Sequence, residues 1–384
     1  MYRVLHVIVG LGQGGAESML WRLLSRTDSA RFASSVVSLT DEDAFESRIA
    51  SLGISVYKLK IHSAWTGVKG AARLFSLTRR IGPDIIQGWM PHGNIAGLLA
   101  RVVASKGVPL VWSIRQSLYD LNYETRTTAR LIRLGARLSR QPEAIVYNSH
   151  TARTHHEALG FSKDRGTVIP NGFDSDVFKP SLEHRRSLRS ELGIGEDARL
   201  VGLTGRFHPM KGHDTFIEAA RTVRTRHPQS RFVMVGPGMD RHNADLTNRL
   251  ERAGLAEATH LLGVRDDIQR IDAALDVAVS SSFTEAFPNV IGEAMSCGVP
   301  CVVTDVGDSA LLVGDTGVVV PPRNPEKLAS GMSRLLDLSR QEIELLGTKA
   351  RQRIVSEFSL DRMAGSFSSL YLSICERRRV GHAS

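Results

Sequence analysis

The chain has 384 residues, 42% hydrophobic and 23% charged, which supplies more than one hydrophobic core and excludes a predominantly disordered polypeptide. Its 49 basic and 40 acidic side chains give a net charge of +9, which favours anionic partners such as nucleotide phosphates or lipid headgroups without choosing between them. Cys297, Cys301 and Cys375 are an odd set without metal-ligand spacing, so no disulfide framework is expected and a reducing compartment fits. No apolar run reaches the ~18 residues of a membrane-spanning helix, and the N-terminal apolar run is too short for a secretory signal. The expected setting is the cytoplasm, in solution or peripherally on the inner face of the cytoplasmic membrane.

In chain order, Val4–Val9 reads as a buried strand because it is aliphatic and β-branched but for His6, and it opens into Gly10-Leu-Gly-Gln-Gly-Gly-Ala-Glu17 before an apolar helix. Glycines 10, 12 and 15 nearly form a dinucleotide fingerprint, but the ribose-binding acid of the second strand is missing; Asp41 and Asp43 come too late. Gly14 and Gly15 therefore carry two readings, a loop facing a diphosphate or a tight turn.

Further strands expected at Ser34–Leu39, Ile54–Leu59, Asp84–Gln87, Pro109–Ile114 and Ala144–Tyr147 alternate with helical stretches, which predicts a parallel sheet wrapped by helices. Polar clusters follow the strands at 87–94, 113–117 and 148–150, on the rim where open α/β sheets bind ligands. They make His92 and Arg115 candidates, with a structural role as the alternative for each. Arg126, Arg130, Arg133, Arg137 and Arg140 recur at helical spacing beside a stripe of Leu131, Leu134 and Leu138. That pattern is either a membrane-surface element or a helix that packs its leucines inward and solvates its basic face.

The first domain is assigned to 1–168, a Pro/Gly/Asp-rich linker to 169–180, and a second α/β domain to 181–359. The Asp-x-Asp pairs Asp41/Asp43 and Asp174/Asp176 lack further ligands nearby, so no metal site is expected. In the second domain, strands are expected at 199–205, 232–235, 260–262, 276–279, 299–303 and 318–320. The first of them opens into Arg206-Phe-His-Pro-Met-Lys211, a guanidinium and an ammonium around a proline turn that suit a diphosphate. Gly236 lies in a second rim loop, and the backbone around Arg265 in a third. In Phe283–Cys297, Glu285 and Glu293 bracket Phe287-Pro-Asn-Val290. Pro288 suits a first helical turn whose N–H groups near Asn289, Val290 and Ile291 attract an anion. The chain from 324 to 379 is expected to be almost wholly helical, ending in Arg377, Arg378 and Arg379, with a last helix over 360–384.

Taken together, Glu285-x7-Glu293 with Phe287-Pro-Asn-Val290 inside it, Gly205-Arg206, Lys211-Gly212, Pro170-Asn-Gly172, Gly236 and Gly238, Gly263 and Gly14-Gly15-Ala16-Glu17 resemble the retaining glycosyltransferases of family 4 over nearly the whole chain. The resemblance implies the GT-B fold, two facing Rossmann-like domains, with the N-terminal one on the acceptor side and the C-terminal helix crossing back to it. It also implies that Arg206 and Lys211 bind the donor diphosphate, Glu293 the ribose and Glu285 the transferred sugar. Backbone donors over 287–290 would serve sugar and phosphate, and Gly14-Gly15 would approach the phosphates. Many relatives carry a His where this chain has Arg115, which makes Arg115 a candidate contact to an anionic group.

The implied reaction moves a hexosyl group from a nucleoside-diphosphate sugar, expected to be a UDP-sugar, to a hydroxyl of a lipid-linked or polysaccharide acceptor in envelope glycan synthesis. No metal or other cofactor is expected, and nucleic acid is not an expected partner. Alternatives are a nucleotide-sugar epimerase or phosphorylase of the same fold, or a noncatalytic sugar-binding protein.

Overall fold

The computed structural model describes residues 1–105, 107–121 and 124–383, without the side chains at 64, 65 and 379–383; Arg379 of the basic tail and Ser384 at the end of the expected last helix fall outside these limits. The chain divides into two compact units, Met1–Gly172 with Leu360–Ser384, and Phe173–Ser359.

The first unit holds β1 (Tyr2–Ile8), β2 (Phe32–Ser38), β3 (Ser55–Lys58), β4 (Ile85–Trp89), β5 (Leu110–Ile114), β6 (Ala144–Tyr147) and β7 (Gly166–Val168). They form one sheet in the order β3-β2-β1-β4-β5-β6-β7, with all neighbours parallel. Parallel neighbours require crossovers, and the crossover helices cover both faces, which is why β4, β5 and β6 are buried at every residue. The expected strands occur with ends shifted by a residue or two. β7 was not expected, because Gly-Thr-Val is too short to show a period.

The last helix, Leu360–Ala383, places Met363, Phe367, Tyr371 and Ile374 on one face, and all four are buried in the core of the first unit. Phe367 stacks on Trp89 at 6.3 Å, and Tyr371 meets Phe32 edge-on at 5.6 Å.

The segment expected to be a linker, 169–180, is anchored in both units. Ile169 is buried in the first core, and Gly172 N–H donates to Met363 S at 3.3 Å. Phe173 and Phe178 belong to a core of the second unit, where Arg351 donates to the carbonyls of Ser175 and Phe178, both at 2.9 Å. The composition of a linker hid two aromatic anchors, and the division falls at Gly172–Phe173.

The second unit holds β8 (Leu200–Thr204), β9 (Arg231–Val235), β10 (Thr259–Leu261), β11 (Val277–Ser280), β12 (Cys301–Thr304) and β13 (Val318–Val320), parallel and in the order β10-β9-β8-β11-β12-β13. Side chains alternate along a strand, so Val233 and Val235 enter one core while Phe232 and Met234 enter the other, and the sheet is buried on both faces. Just ahead of β11, buried Asp276 accepts from Leu200 N and Arg189 Nη2, both at 2.7 Å, and from Arg185 Nη2 at 2.9 Å. This fixes β11 beside β8 from below. Removing the carboxylate would strand a buried Arg189, a loss of about 3–5 kcal/mol.

Candidate active site

In the second sheet the strand order reverses between β8 and β11, and the loops leaving the carboxyl ends of these two strands part into a crevice. The β8 loop carries Arg206 and Lys211 through a 3-10 turn, Pro209–Lys211, capped by His208, whose Nδ1 accepts from Met210 N at 3.3 Å. The β11 loop carries Ser281 to Pro288. Phe283 N donates to Met210 O at 2.7 Å and Ser281 Oγ to Lys211 O at 2.8 Å, so the two loops are joined along their length.

This joining brings Lys211 Nζ within 2.5 Å of Glu285 Oε1, which also accepts from Ser282 Oγ at 2.7 Å. Ser282 is fixed in turn by Thr304 Oγ1, which donates to its carbonyl at 2.6 Å. Both contacts fall on Oε1. Arg206 is exposed and makes no ion pair among the described residues. His208 is pushed below the usual histidine range by burial, then by the charges of Arg206 and Lys211, so it sits neutral between two cations. His208, Ser282 and Thr304 were not singled out in the sequence. The signal available there was the polar run Ser280-Ser-Ser282 at a strand's carboxyl end.

The helix Asn289–Ser296 starts behind Pro288, which is its N-cap and not, as expected, part of its first turn. Proline has no side-chain acceptor, so the helix start is left without a side-chain cap. Ile291 N–H turns back to Pro288 O at 3.2 Å and is not presented, so it drops out of the expected anion-facing backbone. The Phe287 side chain is buried against Phe173 and Phe358, at 6.1 and 5.6 Å between rings, so only its backbone is available to a ligand. Glu293 is buried in the second turn of this helix.

Gly236 serves the site by close packing. Its φ is +133°, and a Cβ there would run into the Gly205 carbonyl beneath Arg206. At Gly307, φ +60°, a Cβ would lie 2.6 Å from the carbonyls of Glu285 and Ala286, so the β12 loop needs glycine to support the β11 loop.

The Arg265 side chain is engaged within its own unit. Its fork is bidentate to Asp267, at 2.7 Å for each bond, and reaches Glu191 at 2.9 Å. These bonds push the Arg265 pKa up and hold the Asp267 carboxyl well below its usual range. The guanidinium is committed, so only the backbone of this turn is left for a nucleobase.

In the first unit, Gly14 is the N-cap of the helix Gly15–Arg26. A Cβ at Gly14 would meet the Glu17 carboxylate, and one at Gly10 or Gly12 would meet that of Glu42. Burial, opposed by a backbone hydrogen bond and reinforced by Glu42, raises the Glu17 pKa. A phosphate approaching Gly14-Gly15 would come up beside the Glu17 and Glu42 carboxylates.

His92 lies half-buried in the first turn of the helix Met90–Val103, on the rim after β4, and burial lowers its pKa. Arg115 is held in place: Nε donates to Ser113 Oγ and Nη1 to Asn171 Oδ1, both at 3.0 Å, and its Cζ lies 5.0 Å from the Trp89 ring and 5.5 Å from that of Phe367. Burial lowers its pKa to about 9, and only Nη2 lacks a partner among the described residues. Its main role is to tie the β5 rim to the last helix, because stacking and two hydrogen bonds use most of the fork.

The helix Arg126–Leu138 buries Ala129, Ile132 and Gly135 rather than a leucine stripe. Leu134 is 39% exposed, and Arg126, Arg130, Arg133, Arg137 and Arg140 are exposed around it.

Residues 13–177 match the family described as Glycosyltransferase Family 4, and residues 198–338 the one described as Glycosyl transferases group 1. The chain is 25% identical over 317 residues, 80% of each chain, to the UDP-Gal:alpha-D-GlcNAc-diphosphoundecaprenol alpha-1,3-galactosyltransferase of Escherichia coli. It is 30% identical over 274 residues to a D-inositol 3-phosphate glycosyltransferase of Nocardiopsis dassonvillei, covering 66% of this chain and 62% of that protein. Among solved structures, HepE of Anabaena in complex with UDP superposes with a TM-score of 0.84 at 24% identity, over 97% of this chain and 100% of that one. The two family matches, one in each unit, and the twofold parallel α/β architecture show that the chain belongs to the family 4 glycosyltransferases of GT-B fold and is a hexosyltransferase.

Proposed function

We propose that the chain transfers a hexosyl group, with retention, from a UDP-sugar to a hydroxyl of a lipid-linked or polysaccharide acceptor. The observation that carries this reading is the joined pair of loops at the β8/β11 crevice, where an uncommitted Arg206 and a Glu285-paired Lys211 stand beside a helix start without a side-chain cap. Negative charge grows on the departing diphosphate, and cations and backbone N–H groups already in place stabilise it most in the transition state. Lys211 turns from Glu285 to the diphosphate, Glu285 Oε2 takes a sugar hydroxyl, and Glu293 takes the ribose. The acceptor oxygen bonds to the anomeric carbon as the carbon–diphosphate bond breaks on the same face, and its proton passes to a diphosphate oxygen.

The nucleotide sugar is a substrate, and the reading assigns no resident metal or other cofactor. Support for the donor and acceptor classes comes from HepE, whose structure holds UDP, and from the diphosphoundecaprenol-linked substrate in the name of the Escherichia coli relative. An acceptor of that kind is met at a membrane, and the exposed arginine face around Leu134 suits an anionic cytoplasmic surface.

The test is a panel of nucleotide sugars with the released nucleotide and the anomeric configuration of the product measured, with and without a chelator. Turnover of UDP-sugars with retention, unaffected by chelation, is expected; an inverted product overturns the stereochemical reading.

A further inference from the structure

Arg206 and Lys211 are carried on one loop, and His208 stands between them in the chain. The 3-10 turn Pro209–Lys211 opens on a proline, which has no N–H, so the turn has two backbone donors to satisfy. His208 takes both: Met210 N donates to its Nδ1 at 3.3 Å, and Lys211 N to its carbonyl at 2.9 Å. An imidazole thus fills the place that Asn, Asp or Ser commonly takes at a helix start.

The loop around this cap is tied to its neighbours. Phe207 N donates to Pro237 O of the β9 loop at 2.7 Å. On the side of the β11 loop, Met210 O accepts from Phe283 N at 2.7 Å and Lys211 O from Ser281 Oγ at 2.8 Å. Gly212, φ +65°, ends the turn where a Cβ would run into the Ser281 carbonyl. Between the anchors at Phe207 and Met210 the His208 ring spans the gap. Met210 directly precedes Lys211, so freeing its N–H loosens the peptide from which the ammonium is projected.

Accepting at Nδ1 places the ring proton on Nε2 and requires an uncharged imidazole, since a protonated ring has two donors and no acceptor. Burial, and then Arg206 and Lys211, lower the His208 pKa. The two cations of the loop therefore keep the cap in its accepting form. An Asp cap would also accept, but it would set a carboxylate between those cations and against an incoming diphosphate.

We propose that His208 is a positioning residue for the donor: by accepting from Met210 N, its ring holds the turn that aims Lys211 at the diphosphate. The proposal rests on the reading of Lys211 as a diphosphate ligand. It assigns His208 no contact with sugar or phosphate, so the effect reaches the donor through Lys211.

The experiment is a double-mutant cycle on the intact chain, read by calorimetric titration with whichever of UDP, GDP and ADP binds the wild type most tightly, and by competition with the matching nucleoside. A free nucleoside diphosphate carries the charge of the leaving group, so its affinity reports what Lys211 holds. His208→Ala is expected to lower diphosphate affinity about fivefold, the scale of a lost cap, and to leave nucleoside affinity within about twofold. His208→Asn restores a side-chain acceptor and should stay within about twofold of the wild type for both ligands. In a Lys211→Ala background, His208→Ala should change diphosphate affinity by less than about twofold.

Nucleoside affinity that falls in step with diphosphate affinity, equal losses in both backgrounds, or an Asn variant as weak as the Ala variant each mark a role other than capping for Lys211 and overturn the proposal. So does a His208→Ala variant that binds like the wild type. Diphosphate affinity unchanged by Lys211→Ala overturns the reading of Lys211 itself, and the two failures are thereby distinguishable.

Discussion

The two units repeat one strand order, with two strands on one side of the first and the later strands on the other, and both place glycine loops and arginines at the carboxyl ends of strands. They use charge in opposite ways. In the first unit Arg115 is stacked on Trp89 and Phe367 and bonded to Ser113 and Asn171, and the glycine loop lies under the carboxylates of Glu17 and Glu42. In the second, among the described residues, Arg206 is exposed without an ion pair and Lys211 pairs with the carboxylate of Glu285. The difference is that the first-unit arginine is stacked and bonded into the core, whereas Arg206 is exposed and Lys211 is paired with Glu285 of the joined loop. Desolvated, bonded arginines hold structure, whereas presented ones keep donors for a ligand.

The sharpest way to break this comparison is to remove a presented cation and a committed one. Lys211→Ala should lower kcat for sugar transfer by about 10²–10³, in the range found when a transition-state donor is lost, with the far-UV circular dichroism unchanged. Near-normal turnover would end the distinction.

Acid should separate the units next. Burial lowers His6 to about 3 and His156 to about 4 in the first unit, and His213 to about 4 in the second. Each is neutral when folded but binds a proton below about 6.5 when unfolded, so the unfolded state takes up more protons and stability falls as pH drops from about 6.5 toward 4. Each histidine contributes a loss of about 3 kcal/mol, and the first unit holds two of the three. All four tryptophans, Trp21, Trp65, Trp89 and Trp112, belong to that unit. Tryptophan fluorescence should therefore report acid unfolding at a higher pH than circular dichroism of the whole chain; coincident transitions would show that the units unfold together.

Arg115→Ala should cost about 1–3 kcal/mol of stability by denaturant titration, through the lost stacking and hydrogen bonds, and leave nucleotide affinity within about twofold. A large affinity loss at constant stability would return Arg115 to the ligand. The smallest effect on affinity is expected for Arg265→Ala, about twofold or less, since its guanidinium serves Asp267 and Glu191. Replacing Arg130, Arg133 and Arg137 together by alanine should leave stability within about 0.5 kcal/mol, as exposed substitutions do. Cosedimentation with anionic vesicles should fall while that with neutral vesicles is unchanged.

Much of the fold was legible because it is written locally. The aliphatic runs at Val4–Ile8 and Ala144–Tyr147 could be little else than buried strands, and turns that follow strands placed Arg206, Lys211 and Glu285 on one rim. What was illegible involved either very short elements, such as Gly166–Val168, or partners far apart in the chain. The leucines at 131, 134 and 138 suggested an inward stripe by spacing. Instead Ala129, Ile132 and Gly135 face inward, and Phe161 and Trp112 approach so closely at Gly135 that only glycine fits there.

By itself the sequence determined two parallel α/β units and named the candidate residues at their strand ends, since periodicity and strand-end position are properties of neighbouring residues. Only the tertiary structure decided which of those residues are still available. Arg265 was taken by Glu191 74 positions away, Arg115 by Asn171 56 positions away, and the Lys211–Glu285 pair spans 74. Such pairings depend on how the loops and helices pack, and burial then sets how strongly each charge is held.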